Sequence, residues 1–245
     1  MSGCARTEIL IGKEGLKKLA DTHVLIAGVG GVGGSCAESL CRSGIGALTL
    51  IDFDIVEPSD LNRQLVALQS TMGLNKVDVL AQRLLDINPN IKLTILNEYI
   101  DKEKALAISK NNDIDFVADC IDSIMNKVDI LRFCQQNKKP FISSMGAGGR
   151  LDPTKITITK MEKTFNCALA REVRKHLRRK HASLNFSVVF SEEVIIKANP
   201  HQEVKAYKEE KSISRAVNGV ISYIPNIFGM MMAGYIINEL LKNKL

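Results

Sequence analysis

The sequence predicts an α/β fold: a Rossmann-like doubly wound sheet, mostly parallel in its N-terminal part and finished by antiparallel C-terminal strands. Three observations carry that expectation. From Thr22 to Ser144, short β-branched runs alternate with amphipathic stretches, the order in which βαβ units are built. Parallel neighbours cannot be joined by a tight turn, so the amphipathic stretches supply the helical crossovers. The glycine-rich segment GVGGVGG, residues 28–34, follows the first apolar run and opens the first amphipathic one, at the strand end where such sheets place their ligands.

Taken in order, the expected strands are residues 23–27, 48–51, 93–97, 116–119 and 141–143. Helices are expected over 32–43, 76–88 and 125–137, the last with Val128, Leu131 and Arg132 at three- and four-residue steps. After Gly149 the character changes. A strand at 155–159, a basic helix in LAREVRKHLRRKH (169–181), and β-like segments at 186–190 and 194–197 come next. A loop rich in Lys, Glu and Ser at 200–214 then leads to a final apolar helix. The chain reads as a single unit over 1–245, with a nucleotide-binding half at 1–150 and a substrate- and dimer-forming half at 151–245.

Composition narrows the class. With 245 residues, 45% hydrophobic and 24% charged, the chain is neither collagenous nor wholly disordered and can bury a sizeable core. A net charge of +6 is a mild bias toward polyanionic partners. The six cysteines form no CxxC pair, which points to reduced thiols rather than structural zinc or a disulfide framework. The start, MSGCARTEIL, has no signal-peptide pattern, so cytoplasmic residence is expected. Residues 216–238 carry no charge and are long enough to cross a membrane. Pro225 and Asn226 interrupt that stretch, and GMMMAG adds small, adaptable side chains, so a core or subunit-contact helix is expected instead.

The motifs carry more. The glycines of GVGGVGG let the backbone approach a phosphate while the helix N-terminus faces its charge; alone they say only that a nucleotide binds. The second strand ends in LIDFD, which places Asp52 where a dinucleotide fold puts an acid on the ribose hydroxyls. A nicotinamide-dependent dehydrogenase is still open at that point. SDLNRQLVALQSTMGLNK then sets Arg63, Gln64 and Lys76 close behind that acid. Two cations and a magnesium ion there would offset a triphosphate tail. Taken separately, Arg63 suits a surface salt bridge and Lys76 a surface position at a helix start. DFVADCIDS puts Asp119 within the fourth strand, where it is expected to bond nearby backbone. Asp122 lies beyond the strand and is the magnesium candidate, because that ion commonly takes one carboxylate with phosphate oxygens.

As an ordered set, GVGGVGG, LIDFD, DLNRQ, GLNK and DCIDS closely resemble the ubiquitin-activating-enzyme-like adenylyltransferases, which include the molybdopterin and thiamine sulfur-carrier activators. Within that superfamily, RTEILIGKEGLKKL, SSMGAGGRLDPTKI and GVISYIPNIFGMMMAG are most similar to the threonylcarbamoyladenosine dehydratase branch. The resemblance implies that Gly28, Gly30, Gly31 and Gly33 line the ATP phosphates, Asp52 meets the ribose, and Arg63, Gln64 and Lys76 take the phosphate tail, with Asp54 a further cofactor-binding residue. It further implies that Asp122 holds Mg2+ and that Arg6 reaches the partner subunit's ATP, which makes a homodimer with composite sites. A monovalent cation (Na+ or K+) and a cysteine desulfurase or sulfur acceptor as partner are compatible with it. Two departures stand out. Asp60 occupies a position where relatives commonly have Asn, adding negative charge beside the phosphates. Asn166-Cys167-Ala168 replaces a pattern that usually reads Asp-Pro before the Leu, so the resemblance assigns Cys167 no role, and cysteine-dependent transfer with Cys167 as its thiol stays an open alternative.

The implied function is ATP-dependent dehydration of threonylcarbamoyladenosine in tRNA through an acyl-adenylate on the threonyl carboxylate. The alternative is an adenylyltransferase that activates the C-terminus of a small sulfur-carrier protein. At about 100° per residue, Arg171, Arg174, Lys175 and Arg178 share one face of the basic helix and Leu169, Val173 and Leu177 the other. That charged face suits an RNA backbone, against the plainer reading of a solvated surface helix. His176 and His181 read as surface residues.

Overall fold

The computed structural model describes residues 3–197, 199 and 219–242. Within them one sheet contains β1 (His23–Ala27), β2 (Ala47–Ile51), β3 (Lys92–Leu96), β4 (Phe116–Asp119), β5 (Phe141–Ser144), β6 (Ile156–Lys160) and β7 (Ser187–Ser191). The order is β3-β2-β1-β4-β5-β7-β6. Every neighbouring pair is parallel except β6 with β7. Since β7 runs parallel to β5, β6 alone is reversed. The helices are α1 (Ala5–Ala20), α2 (Gly31–Ser43), α3 (Lys76–Ile87), α4 (Lys102–Lys110), α5 (Ile124–Gln136), α6 (Ala168–Arg179) and α7 (Tyr223–Leu241).

The central strands are apolar on both sides, as sheets covered by helices on both faces require. In β1, Val24 and Ile26 join one core with residues of α2, α3 and α7. Leu25 and Ala27 join a second core with residues of α4, α5 and α6. The chain winds from β1 outward to β3, then returns to place β4 on the other side of β1. The crevice between β1 and β4 is therefore the topological switch point, where doubly wound sheets bind ligands.

Two helices go beyond the sequence expectation. The nine residues of α4 are too short for a strong period; Asp101 caps them by accepting the Lys104 N–H at 2.8 Å. In α1 the apolar period is broken by a kink at Gly12, whose φ is +72°. Two expectations need correction. Residues 194–197 form no strand: Val194 is 70% exposed, and the segment is tied to the Gly149 turn by one bond, Ile196 N to Gly149 O at 2.9 Å, because β6 already occupies the open side of β7. Pro225 and Asn226 do not interrupt the last helix but begin it, since Pro225 falls in the first turn of α7, where a missing N–H costs no helical bond. The expected loop at 200–214 lies outside the described residues.

By length and composition α7 could cross a membrane, but Ile224, Phe228, Met232 and Ile236 are buried in the core beside α2. Gly229 makes that packing possible: a Cβ there would stand 2.2 Å from the Val32 carbonyl oxygen.

Candidate active site

The turn after β1 is made for close backbone approach. Gly28 has φ +86° and donates its N–H to Ile51 O at 2.8 Å. A Cβ on Gly33 would lie 1.8 Å from the Gly28 carbonyl oxygen, so the first turn of α2 sits directly on the loop. Asp52, one residue past β2, fixes the turn from the side. Its Oδ2 accepts the Val29 N–H at 2.7 Å and its Oδ1 the Asp54 N–H at 2.9 Å. Burial raises the Asp52 pKa above the ordinary carboxylate value, against the pull of those two N–H groups. Each oxygen keeps a further lone pair, enough for ribose hydroxyls.

Next to the glycines a short 3-10 turn carries Asp60, only 5% exposed. Its Oδ1 accepts Gln64 Nε2 at 2.6 Å and Arg63 Nη2 at 3.4 Å; its Oδ2 accepts the Glu57 N–H at 3.1 Å and lies 3.3 Å from Lys76 Nζ. The ammonium of Lys76 also meets Asp54 Oδ2 at 3.2 Å. Lys76 is thus buried rather than a surface lysine at a helix start. Burial pulls its pKa down, but Asp54, Asp60 and Asp52 outweigh that and hold it above the ordinary lysine value. Arg63 also donates to Ser59 O at 2.7 Å and Asn62 Oδ1 at 2.9 Å. The structure therefore gathers Arg63, Gln64 and Lys76 around Asp60, whose charge is met by two cations.

Arg63 and Gln64 overlie the glycine loop. A Cβ on Gly31 would meet Arg63 Cγ at 3.6 Å, and one on Gly30 would meet Gln64 Nε2 at 3.7 Å. Gln64 Oε1 is buried without a hydrogen-bond partner, an acceptor that a ligand donor could satisfy. The loop is clamped from α7, as Asn226 donates to Arg63 O at 3.1 Å and accepts from the Ser35 hydroxyl, while Asn62 donates to Val220 O at 2.8 Å. Sequence reasoning missed both asparagines. Asn62 lies inside the motif that was read, but nothing in the linear pattern ties Asn226 to it.

β4 borders the same crevice, for Cys120 donates its N–H to Ala27 O at 2.9 Å. Asp119 does accept the nearby Ile121 N–H, at 3.2 Å, but its chief partners are Lys127 Nζ at 2.7 Å and Ser143 Oγ at 2.6 Å, all buried. Sequence reasoning missed Lys127 and Ser143, because α5 also carries Asn126, Asp129 and Arg132 and nothing in its linear pattern marks Lys127 as the buried cation. Asp122 is exposed beyond the strand end. Among the described residues no group of three or more His, Cys, Asp or Glu could hold a metal.

Two sets of expected residues stand apart from this crevice. Arg6 is exposed on α1, where it lines a cavity of about 330 Å³ with Leu10, Ile11 and Ile237. On α6, Ala170, Val173 and Leu177 are buried, while Arg171, Lys175 and Arg178 are exposed and Arg174 is half-buried. The amphipathic reading of that helix holds.

A glycine turn at the switch point, an acid on its flank and a buried cation cluster define a nucleotide-binding α/β protein of the adenylate-forming kind. The ThiF family model matches residues 5–245, and the chain belongs to that family. It is 37% identical over 243 residues to the tRNA threonylcarbamoyladenosine dehydratase of Bacillus subtilis (strain 168), covering 98% of this chain and 94% of the relative. The crystal structure of the E. coli tRNA N6-threonylcarbamoyladenosine dehydratase TcdA in complex with AMP superposes with a TM-score of 0.87 at 30% identity, covering 97% of this chain and 93% of that one. The same protein in complex with ATP gives a TM-score of 0.85 at 30% identity, covering 98% and 94%.

Proposed function

We propose that this chain is an ATP-dependent tRNA threonylcarbamoyladenosine dehydratase that acts as one unit over its whole length. The observation that carries the reading is the gathering of Arg63, Gln64 and Lys76 around buried Asp60, beside a glycine turn fixed by Asp52. Support comes from the similarity, over nearly the whole chain, to dehydratases of that name, one of them solved with ATP. In this reading Gly28, Gly30, Gly31 and Gly33 line the phosphates and Asp52, with Asp54 beside it, meets the ribose. Arg63, Gln64 and Lys76 take the phosphate tail. An oxygen of the threonyl carboxylate attacks the α-phosphorus and pyrophosphate departs. A nitrogen of the threonylcarbamoyl group then displaces AMP from the acyl carbon and closes a ring, and the oxygen of the lost water leaves on AMP.

No protein nucleophile is required. The chain orients an in-line attack and stabilises the developing charge with Arg63 and Lys76. Asp122 would hold magnesium, which would draw charge from the phosphate oxygens; Na+ or K+ is proposed as a further counter-ion. Arg6 of one subunit completes the site of the other in a homodimer, and Arg171, Arg174, Lys175 and Arg178 contact the tRNA. Residence in the cytoplasm, where tRNA is modified, and a cysteine desulfurase or sulfur acceptor as partner rest on family resemblance.

Nucleoside mass analysis of threonylcarbamoylated tRNA, after incubation with purified protein and Mg-ATP, tests the proposal. The modified nucleoside is expected to lose the mass of one water. An unchanged nucleoside, with pyrophosphate release stimulated instead by a diglycine-ended carrier protein, would replace dehydration with carrier activation.

A further inference from the structure

At the head of α6 lies a cavity of about 370 Å³, walled by Asn166, Cys167, Arg171 and Arg174 on one side and by Val194 and Ile195 on the other. Its charge is one-sided. The first turn of α6 holds no acidic residue. The N-cap is the Cys167 sulfur, which accepts the Ala170 N–H at 3.4 Å, a weak acceptor where a carboxylate would offset the helix dipole. Arg174 donates to the Thr164 hydroxyl; burial, and after it the neighbouring Arg178, pull its pKa below the ordinary guanidinium value. Arg171 reaches Glu172 at 3.4 Å, but Lys175 shares that carboxylate at 3.6 Å.

Behind the cavity wall sits Arg150, 2% exposed. Its Nη2 donates to the Asn166 carbonyl at 2.5 Å, while Nε and Nη1 are buried without a hydrogen-bond partner. Burial lowers its pKa, countered first by adjacent Cys167 and then by Glu193. Glu193 is already engaged by the N–H groups of Leu151 and Asp152. A buried guanidinium held by the Asn166 carbonyl and adjacent Cys167, with only the weak acceptor of the thiol near its other nitrogens, is costly unless further negative charge approaches.

We propose that this cavity is a phosphate-binding pocket that takes a backbone phosphate of the RNA substrate. Arg171 and Arg174 supply the direct contacts, the helix head and Arg150 supply field from behind, and Val194 and Ile195 offer an apolar wall to the adjoining ribose. The identity of the phosphate donor rests on the tRNA reading; the chemistry of the pocket does not.

Two measurements on the full chain separate those claims. Inorganic phosphate, at ionic strength matched with chloride, should slow alkylation of Cys167 several-fold as read by peptide mass mapping, and Arg174→Gln should remove the protection. The second measurement is binding of a threonylcarbamoylated anticodon stem-loop over a salt series. Cys167→Asp should weaken it about tenfold and lower the salt slope by about one, whereas Lys92→Gln on the opposite edge strand should change neither. Because Asp is a strong N-cap, the variant should keep its melting temperature, so lost binding is not lost fold. Absence of phosphate protection, or equal RNA affinity of Cys167→Asp and the parent chain, would overturn the proposal. Phosphate protection in a protein that binds no RNA would keep the pocket for free phosphate and sink the tRNA reading instead.

Discussion

Asp60 is the residue on which the cation cluster turns. Its carboxylate is buried, and Lys76, Arg63, Gln64 and the Glu57 N–H all converge on it. It fixes the cations and at the same time opposes the phosphates they would hold. Asp60→Asn is therefore expected to lower stability by about 1–3 kcal/mol through weakened hydrogen bonds to charged groups, while tightening ATP binding several-fold. Denaturant melts and calorimetric titration read the two effects, and an unaltered ATP affinity would show that the carboxylate charge does not reach the phosphates. Asp52 gives a pH signature. Its folded pKa is raised above 3.8 by burial, so the folded state holds that proton more tightly than the unfolded chain. The resulting stabilisation is complete below 3.8 and fades as pH rises through the raised value. In the proposed site the ribose hydroxyls donate to the ionised Asp52, so ATP affinity should fall as pH is lowered through the same window. Comparison with Asp52→Asn, which lacks this step and binds weakly throughout, isolates the contribution from titration of ATP itself.

At the scale of elements, the final helix ties the site together. α7 packs on α2 through Gly229 and carries Asn226, which bonds the Arg63 carbonyl. Gly229→Ala would force a methyl group toward the Val32 carbonyl, and overpacking of this kind typically costs about 1–3 kcal/mol. The melting temperature should drop by roughly 2–10 °C, and ATP affinity should drop with it, because the clamp on Arg63 moves with the helix. A variant that melts lower yet binds ATP as the parent does would separate α7 from the site. α6 plays the complementary part on the opposite face, seating its apolar side on the second core and turning its cations outward.

For the whole molecule, the position of Arg6 bears on assembly. It lies on α1 beside Ile9 and Leu10, which are 83% and 80% exposed, an apolar surface that suits a second copy. If two copies assemble through this surface and share Arg6 as proposed, replacing both by Glu should give monomers by analytical ultracentrifugation and cut dehydration by about two to three powers of ten, as removal of a transition-state cation does. Mixing Arg6→Ala subunits with Lys76→Ala subunits should restore one intact site per mixed dimer; no restoration would place Arg6 outside the site. The glycine turn, Asp52, the ordered cations and the five parallel strands to within a residue or two were legible in the linear chain. They depend on local backbone geometry and on motif order along βαβ units. The sequence could not show that Asp60 is buried among its cations, that Asp119 pairs with Lys127 and Ser143, that Asn226 reaches back to Arg63, or that Arg150 is buried beside Cys167 and bonded to the Asn166 carbonyl. Those contacts join residues up to 163 positions apart. They exist only once the sheet and its helices close, because burial and pairing of a charge are set by neighbours in space.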